Sequence, residues 1–360
     1  MDDHGTNLAE KFASNALVKF FETGVTPMIT NDEYEGDIKG MASRLNVLTF
    51  SESEGLQDYD GSDLTLGSTK ESEATLVTDQ QKAYYFKVKS VDTFKSYVDN
   101  PESSLMTEKA GQLQEEIDKY VLGAYADVAS GNRVGTDYTT GTVAVATNGT
   151  VTGTGTTFTS AMVGRGFKAD GQTKWYRVKT YTSATSIVIE LDVDDTTSTY
   201  DGGAVSSGAS FTVEAVTPRT LTKTNVYDAV LEMEEKLNNS KIPTAGRFLV
   251  VNAKMKRILV QADVIVRDVD SSDNIVHNGK LGTLAGFTVY YNEQVNGDNT
   301  NGYWALAGHK SAITFATAFT ESEIEGLLGN FGKAYKGLNI YGRKTADERR
   351  KALSTLFFTV

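Results

Sequence analysis

The chain has 360 residues and an ordinary globular composition, enough for about two folded domains, and its net charge of −12 argues against tight, sequence-independent DNA binding. It contains no cysteine, which excludes disulfide scaffolds, thiol nucleophiles and cysteine-bound zinc, and only three scattered histidines. No apolar run approaches the ~20 residues that cross a bilayer, and the acidic start lacks the features of a signal peptide, so we expect a protein that folds inside a cell.

The N-terminal quarter predicts a short helix, an extended segment and a long hairpin. Residues 7–23 carry apolar side chains at near-helical spacing, whereas residues 25–50 are predicted to be extended. Residues 51–73 are polar and acidic, and β-like segments at Arg44–Phe50 and Ala83–Val88 flank them. A loop this long with so little apolar content cannot bury itself, so we expect a hairpin tip that is disordered or lies on a neighbouring molecule.

A long helix is predicted to follow from Asn100, whose side chain can cap it, with Pro101 in its first turn and Glu102 near its N-terminus. Apolar side chains then recur at spacings of three and four, so the helix is predicted to reach about Ser130 and to stop at Gly131. At 1.5 Å per residue it would be roughly 45 Å long, which is typical of a spine on which other elements pack.

Residues 137–217 differ in composition from the rest of the chain, with 19 threonines, many glycines and no proline. Short β-like segments alternate with turns, which indicates a small all-β module. Its ends, Val134–Gly135 and Pro218, are typical of insertion points into a host domain. The segments are Thr142–Ala146, Gly164–Lys168, Trp175–Lys179, Ser186–Leu191 and Ser210–Ala215.

The remainder predicts an α/β host. A helix over about Asn225–Leu237 precedes a buried strand, Phe248–Val251, and a second helix that Asn252 caps. Further strands are predicted at Thr288–Tyr291, Tyr303–Ala307 and Ser311–Phe315, and within Lys333–Val360 on either side of a polar turn near Thr345–Arg350. This part carries 18 basic and 15 acidic side chains from residue 217 onward, whereas residues 1–216 carry 17 and 32.

The candidate chemical motifs are incomplete. Asp268–Asn274 hints at a calcium loop, but Asp273 stands where the sixth-position glycine belongs and Gly279 where the final glutamate belongs, so a solvated loop is the better interpretation there and at Asp192–Asp195. Gly308–Ser311 resembles the end of a phosphate-binding loop with the wrong spacing, and a turn at a strand is favoured.

No catalytic group stands out either. His277 and His309 are most simply surface or capped histidines. The carboxylates Glu33, Glu35 and Asp37 lie in a strand-like, solvated stretch with nothing to raise a pKa, which makes a hydrolase a poor interpretation.

Six segments, in chain order, together resemble the HK97-type major capsid proteins of tailed bacteriophages. They are Tyr34–Lys39, Leu76–Lys82 with Tyr84–Phe86, the helix at 100–130, Gly282–Tyr290, Ala307–Ala316 and Lys336–Gly342. The all-β module lies outside this resemblance. Through Val151–Thr156 and Trp175–Val178 it is similar to small Ig-like domains inserted in phage structural proteins.

The resemblance implies an α+β, HK97-type capsid fold with an inserted all-β, Ig-like module. The domains it implies are an N-terminal arm at 1–30, an E-loop hairpin with flanking strands at 31–90, a P-domain spine helix at 91–136, the inserted domain at 137–217, an A-domain with P-domain segments at 218–330, and C-terminal P-domain strands at 331–360.

The function implied is that of a non-enzymatic coat protein, without cofactor or metal, assembled in the bacterial cytoplasm into the icosahedral head of a virion around double-stranded DNA. Its implied partners are other copies of itself in hexamers and pentamers, a scaffolding protein, a portal and decoration proteins, without a membrane. The intersubunit contacts that the resemblance implies are Phe12, Phe20, Tyr34, Asp58, Asp60, Asp63 and Lys70. A tail or surface-binding protein with an adhesin module, and an encapsulin-like cargo shell, are the alternatives.

Overall fold

The computed structural model describes residues 24–31, 44–50, 71–89, 101–193, 198–263, 280–326 and 331–360. The α-helices within these ranges are α1 (Thr26–Ile29), α2 (Pro101–Leu122), α3 (Val226–Asn239), α4 (Ala253–Gln261) and α5 (Asp347–Arg350). Short 3₁₀ turns lie at Gly123–Asp127, Ser160–Met162 and Lys310–Ala312. The predicted helix at 7–23 lies outside the described residues.

The strands in chain order are β1 (Arg44–Phe50), β2 (Glu71–Val77), β3 (Gln80–Lys89), β4 (Arg133–Val134), β5 (Thr136–Tyr138), β6 (Thr142–Val145), β7 (Thr150–Thr154), β8 (Gly166–Ala169), β9 (Tyr176–Ser183), β10 (Ser186–Leu191), β11 (Val205–Ala209), β12 (Phe211–Thr217), β13 (Arg219–Thr220), β14 (Arg247–Val251), β15 (Lys280–Leu284), β16 (Phe287–Tyr291), β17 (Gly297–Asp298), β18 (Gly302–His309), β19 (Thr314–Gly326), β20 (Gly332–Lys344) and β21 (Leu353–Thr359). The strands predicted from Phe248, Thr288 and Tyr303 are confirmed as β14, β16 and β18.

A central mixed sheet with the strand order β13-β21-β18-β14-β16-β15 separates two apolar cores. Alternate side chains of β14 point to opposite faces, so Leu249 and Val251 enter one core and Phe248 and Val250 enter the other. Helices α3 and α4 close the first core, and the C-terminal end of α2 closes the second. The predicted cap of α4 is confirmed, since Asn252 Oδ1 accepts a hydrogen bond from the Met255 amide at 3.0 Å.

The spine helix α2 is shorter than its apolar periodicity predicts. It ends at Leu122 after 22 residues, or about 33 Å, and the chain continues as a 3₁₀ turn through Asp127. Gly123 has low helix propensity and lies against the Arg343 guanidinium, where a larger side chain would crowd it. The apolar spacing nevertheless persists, because Ala124 and Val128 remain buried in the same core as Val121.

The hairpin near residue 50 has a different partner from the one predicted. Strand β1 pairs with β2, with Arg44 opposite Val77 and Phe50 opposite Glu71, rather than with Ala83–Val88. Those residues belong to β3, which pairs with β20. Pairing with β2 places the two strands next to each other across a shorter connection, and residues 51–70 between them lie outside the described part of the chain.

Two other segments predicted to be extended are turns. Thr26–Ile29 forms one helical turn, because Pro27 suits a first turn and Asp118 binds the Thr26 amide. The strand predicted at Ser311–Phe315 begins only at Thr314, because Ser311 and Ala312 belong to a 3₁₀ turn in which His309 Nδ1 accepts the Ser311 amide hydrogen bond.

Strands β5 to β12 form a separate β module with a core of its own. Their hydrogen-bonded order is β11-β6-β7-β10-β9-β8-β12-β5, one continuous antiparallel path. The core side chains include Val151, Phe158, Phe167, Ile187 and Phe211, and none of these belongs to the two cores beside the central sheet. The threonine-rich segment therefore has an apolar centre of its own.

Candidate functional site

Strands β19, β20 and β3 form a long three-stranded sheet, called the wing here, that extends from α2. The register places side chains in rows across the three strands, with Ile324, Tyr335 and Phe86 in one row and Glu323, Lys336 and Tyr85 in the next. Successive rows face opposite sides of the sheet. The wing therefore has one aromatic face and one mixed face.

The aromatic face is partly covered by the spine helix. The ring of Tyr341 packs edge-on against Tyr120 of α2 at 5.5 Å. Farther along, Phe86 stacks on Tyr335 at 5.3 Å, yet Ile324 in the same row is exposed. An apolar row thus continues beyond the part of the wing that α2 covers.

The mixed face carries a small charge cluster beside an exposed aromatic ring. Lys336 Nζ lies 3.0 Å from Glu323 and also contacts Glu325. These hydrogen bonds, the one to Glu325 first, raise the pKa of Lys336. Tyr85, in the same row, is largely exposed, and Phe331 at the start of the returning strand is exposed as well. Large exposed apolar side chains of this kind are typical of interaction surfaces.

A groove of about 290 Å³ runs between α2 and the wing. Its lining is mostly apolar. The lining side chains include Met106, Ala110 and Leu113 from α2 and Ala83, Tyr84 and Leu338 from the wing.

The helical turn α1 is attached to the spine helix through one buried carboxylate. Asp118 accepts hydrogen bonds from the Val25 and Thr26 amides at 3.2 Å and from the Thr26 hydroxyl at 2.7 Å. Gln114 and Asn292 donate two more, at 3.0 and 2.9 Å. One side chain therefore joins α1, α2 and the loop after β16.

The β module is joined to the host by a buried ion pair. Arg133 Nη1 donates to Glu214 Oε1 at 2.8 Å, and the two side chains are 4% and 2% exposed. Glu214 also accepts from the amides of Gly131 and Gly166. Removing one partner of such a buried pair is strongly destabilising, because the other charge is then buried without a counter-ion.

A second contact places a guanidinium from the module on two host aromatic rings. Arg165 lies 4.3 Å from the centre of the Trp304 ring and 5.5 Å from that of Phe357. The two rings are stacked, 4.0 Å apart and nearly parallel. Burial, reinforced by the nearby charge of Arg133, lowers the pKa of Arg165 to about 10, so the side chain stays cationic at neutral pH.

A third contact involves Asp192, one of the carboxylates considered for calcium. Its Oδ1 accepts from Arg350 Nη2 at 2.7 Å, and both side chains are largely buried. Burial alone would raise the pKa of Asp192, but the charge of Arg350 and the Ser130 amide lower it instead. The interpretation of Asp192 as part of a solvated loop is therefore wrong, because the carboxylate is enclosed between module and host.

The other chemical candidates receive structural roles or fall outside the described residues. His309 shares a hydrogen bond of 2.8 Å with Ser311 Oγ within the turn that follows β18, where a turn at a strand was predicted for Gly308–Ser311. Among the described residues no cluster of histidine, aspartate or glutamate is arranged to hold a metal ion. Glu33, Glu35, Asp37, His277 and Asp268–Asn274 lie outside the described ranges, as do the expected contact residues Phe12, Phe20, Tyr34, Asp58, Asp60, Asp63 and Lys70.

None of the described helices is long and apolar enough to span a membrane.

The sequence matches no protein-family model and no curated protein. Solved structures do match, over almost the whole chain. A Mycobacterium phage Che8 structure has a TM-score of 0.61 at 15% identity and covers 98% of this chain and 97% of its own. The capsid structure of cyanophage P-SCSP1u has a TM-score of 0.59 at 13% identity, with 98% and 93% covered.

The capsid of Ralstonia phage GP4 gives a TM-score of 0.56 at 10% identity and covers 99% of this chain and 97% of that chain. The chain has a phage capsid-protein fold. Its mixed α+β architecture, with a spine helix, a wing and a central sheet, fits the HK97 type that the six sequence segments resemble.

The residues that join module to host, above all Glu214 and Arg165, were missed by sequence reasoning, although a glutamate inside the apolar strand Phe211–Thr217 is a usable signal.

Proposed function

We propose that this chain is the major capsid protein of a tailed phage and that it assembles into the icosahedral head around double-stranded DNA. The observation that carries the proposal is the fold match to phage capsid structures, which spans almost the full length of both chains. The proposed mechanism is assembly, without catalysis and without a cofactor. Its setting is the virion capsid, built in the host cytoplasm.

The surfaces of the wing support this proposal. Tyr85, Ile324 and Phe331 expose large apolar side chains on an elongated sheet that projects beyond the spine helix. In an assembled shell such side chains would be covered by neighbouring copies. Many individually modest contacts add up in a closed shell.

The charge of the chain fits a container for nucleic acid. A net charge of −12 disfavours tight binding to phosphate, so the wall would enclose DNA without holding it. We propose, on the same fold likeness, that a scaffolding protein and a portal take part in assembly and that decoration proteins bind the outer surface.

We propose that the chain divides into the domains that the sequence resemblance implies. The register of the central sheet supports this division. Arg133 and Val134 pair with Thr355 and Leu356, and Arg219 pairs with Phe358, so β4 and β13 continue one another along the same edge of β21. The β module departs and returns within a single strand, as an insertion would. Its antiparallel path around an aromatic core supports the Ig-like assignment, and we propose that it projects from the outer surface.

The residues Phe12, Phe20, Tyr34, Asp58, Asp60, Asp63 and Lys70 remain proposed intersubunit contacts. They belong to the N-terminal arm and to the E-loop hairpin with its flanking strands, which the family likeness assigns to neighbour contacts. Alanine variants at these positions, compared for shell yield, would test them.

The function is tested by negative-stain electron microscopy of the purified protein, expressed alone and with its scaffolding protein. Closed, uniform shells in either preparation are the expected result. Small monodisperse oligomers in both would contradict the proposal. The β module would then be tested for carbohydrate or cell-surface binding.

A further inference from the structure

Helix α3 exposes an apolar pair next to the stripe that it buries against the central sheet. Its buried stripe, which includes Val230 and Met233, packs into the core. Tyr227 and Leu231 lie one turn apart beside this stripe and are 39% and 36% exposed. A surface helix normally shows polar side chains there, so this pair marks a contact surface.

Acidic side chains surround the apolar pair. Four acids lie on α3 against one base, Lys236. Arg219 pairs with Glu232 at 2.8 Å, whereas Asp228 and Glu235 form no ion pair with any described residue. This side of α3 therefore combines an apolar centre with unbalanced negative charge.

Helix α4, which closes the same core, presents the complementary combination. It carries Lys254, Lys256 and Arg257 and no acid. Arg257 is exposed and has no ion pair within the described part of the chain, and Val260 next to it is 50% exposed. Lys256 lies over the Tyr291 ring at 4.5 Å, which holds its charge near this surface.

We propose that the acidic face of α3 in one copy packs on the basic face of α4 in a second copy. Leu231 and Tyr227 would meet Val260, and Glu235 and Asp228 would face Arg257 and Lys256. A face of α3 against itself would bring unbalanced acids together, so the charges favour the unlike pair. Contacts between two different surfaces of the same chain build rings when the rotation closes.

The inference rests on the proposed shell function and names a contact through which the copies would be held together around a ring. Because the chain contains no cysteine, single cysteines report contacts without background. Leu231→Cys and Val260→Cys chains, mixed before assembly and oxidised, should form a disulfide-linked dimer. Each variant assembled alone should give no dimer, because its cysteines would not meet.

The matched control is Val163→Cys, since Val163 lies on the β module and is 45% exposed, close to the exposure of Val260. Mixed with Leu231→Cys, it should give no dimer. A dimer from Leu231→Cys alone would show α3 packed on α3 and would overturn the proposal. So would shells in which the Leu231→Cys and Val260→Cys pair fails to crosslink.

Charge reversal gives a second, independent test on exposed residues. Glu235→Lys and Arg257→Glu should each lower the yield of shells, since each places like charges in the contact. The two changes in one chain should restore the yield, because every contact then keeps one charge of each sign. Loss in the double variant equal to the combined single losses would overturn the pairing.

The outcomes separate this inference from the proposed function. Wild-type shells without the crosslink and without charge rescue would refute the α3–α4 contact and leave the coat-protein function standing. Absence of wild-type shells, with or without scaffolding protein, would refute both. Circular dichroism of the unassembled variants confirms that each remains folded.

Discussion

Val134 and Arg219 occupy nearly consecutive positions on the same edge of β21, Val134 opposite Leu356 and Arg219 opposite Phe358, although the whole β module separates them in sequence. Only the place opposite Phe357 lies between them. The two short strands β4 and β13 therefore lie one after the other along a single edge of β21. This is the arrangement that the proposed insertion of the module would produce.

This register predicts that the host folds without the module. A chain in which a short glycine–serine link replaces residues 136–217 should keep the central sheet, because the two half-strands need only a short connection. We expect a cooperative thermal transition and an unchanged helical signal by circular dichroism. The shell yield of the same variant would show whether the module serves assembly, and an unfolded product would contradict the insertion.

The Arg133–Glu214 pair should dominate the docking energy of the module. Glu214→Ala leaves a buried guanidinium without its partner and should lower the free energy of unfolding by about 3–5 kcal/mol. Urea denaturation measures the change. Glu116→Ala is the control, because the Lys82–Glu116 pair is exposed and should contribute less than about 1 kcal/mol. Equal effects of the two changes would refute the role of Glu214.

The Arg165 guanidinium should stabilise the same interface through the stacked rings of Trp304 and Phe357. Arg165→Ala should cost about 2 kcal/mol, the range for a desolvated cation–π contact, and Arg165→Lys should recover part of it. The tryptophan emission spectrum should shift in Arg165→Ala, because Trp304 loses its cover. A Trp304→Phe background, which leaves Trp175, assigns the signal, and an unshifted spectrum would contradict the stacking.

Much of the fold could be predicted from periodicity. The apolar stripe of α3, the buried strand β14 and the Asn252 cap are local signals, and the structure confirms them. The end of α2 could not be predicted, because the apolar spacing continues into a 3₁₀ turn that keeps Ala124 buried. The predicted pairing of β1 was wrong for a different reason. Strand pairing is a long-range property that the local propensity of a sequence does not encode.

The assembly surfaces were harder to predict than the fold. The exposure of Tyr85 and Ile324 depends on which strands pair. The β spacing of Tyr84–Phe86 is compatible with core packing or with an interface, and it does not distinguish the two. Glu214 lies between buried apolar neighbours in its strand, at a position where an apolar side chain would be expected. Its charge is explained only by the packing of the module against the host, which places Arg133 next to it.

The carboxylate of Asp118 should hold the helical turn α1 against the spine helix α2. Asp118→Ala removes the acceptor of five hydrogen bonds and leaves buried donors unpaired, at a cost of about 3 kcal/mol. Amide exchange at Val25 and Thr26 should accelerate strongly, since both amides lose their partner. Asp137→Ala serves as the control, because among the described residues Asp137 accepts a single hydrogen bond, from the Ala215 amide. Unchanged exchange at Val25 in Asp118→Ala would contradict the anchor.

The ion pair between Asp192 and Arg350 should make docking of the module sensitive to acid. Burial would raise the pKa of Asp192, but Arg350 and the Ser130 amide lower it below its unfolded value. A carboxylate with a depressed folded pKa stabilises the protein above its unfolded pKa of about 3.9 and loses that contribution as the pH falls. Asp192→Asn should therefore cost more stability at pH 7 than at pH 3.

Comparing the two proteins at each pH cancels the titration of all other shared groups. The difference in unfolding free energy between wild type and Asp192→Asn should shrink steadily below about pH 4, the ordinary range of an aspartate. Asp347→Asn is the matched control, since Asp347 lies 3.8 Å from the same arginine but is far more exposed. Its cost should be small at both pH values. A difference for Asp192→Asn that stays constant from pH 7 to pH 3 would show that its charge does not hold the module in place.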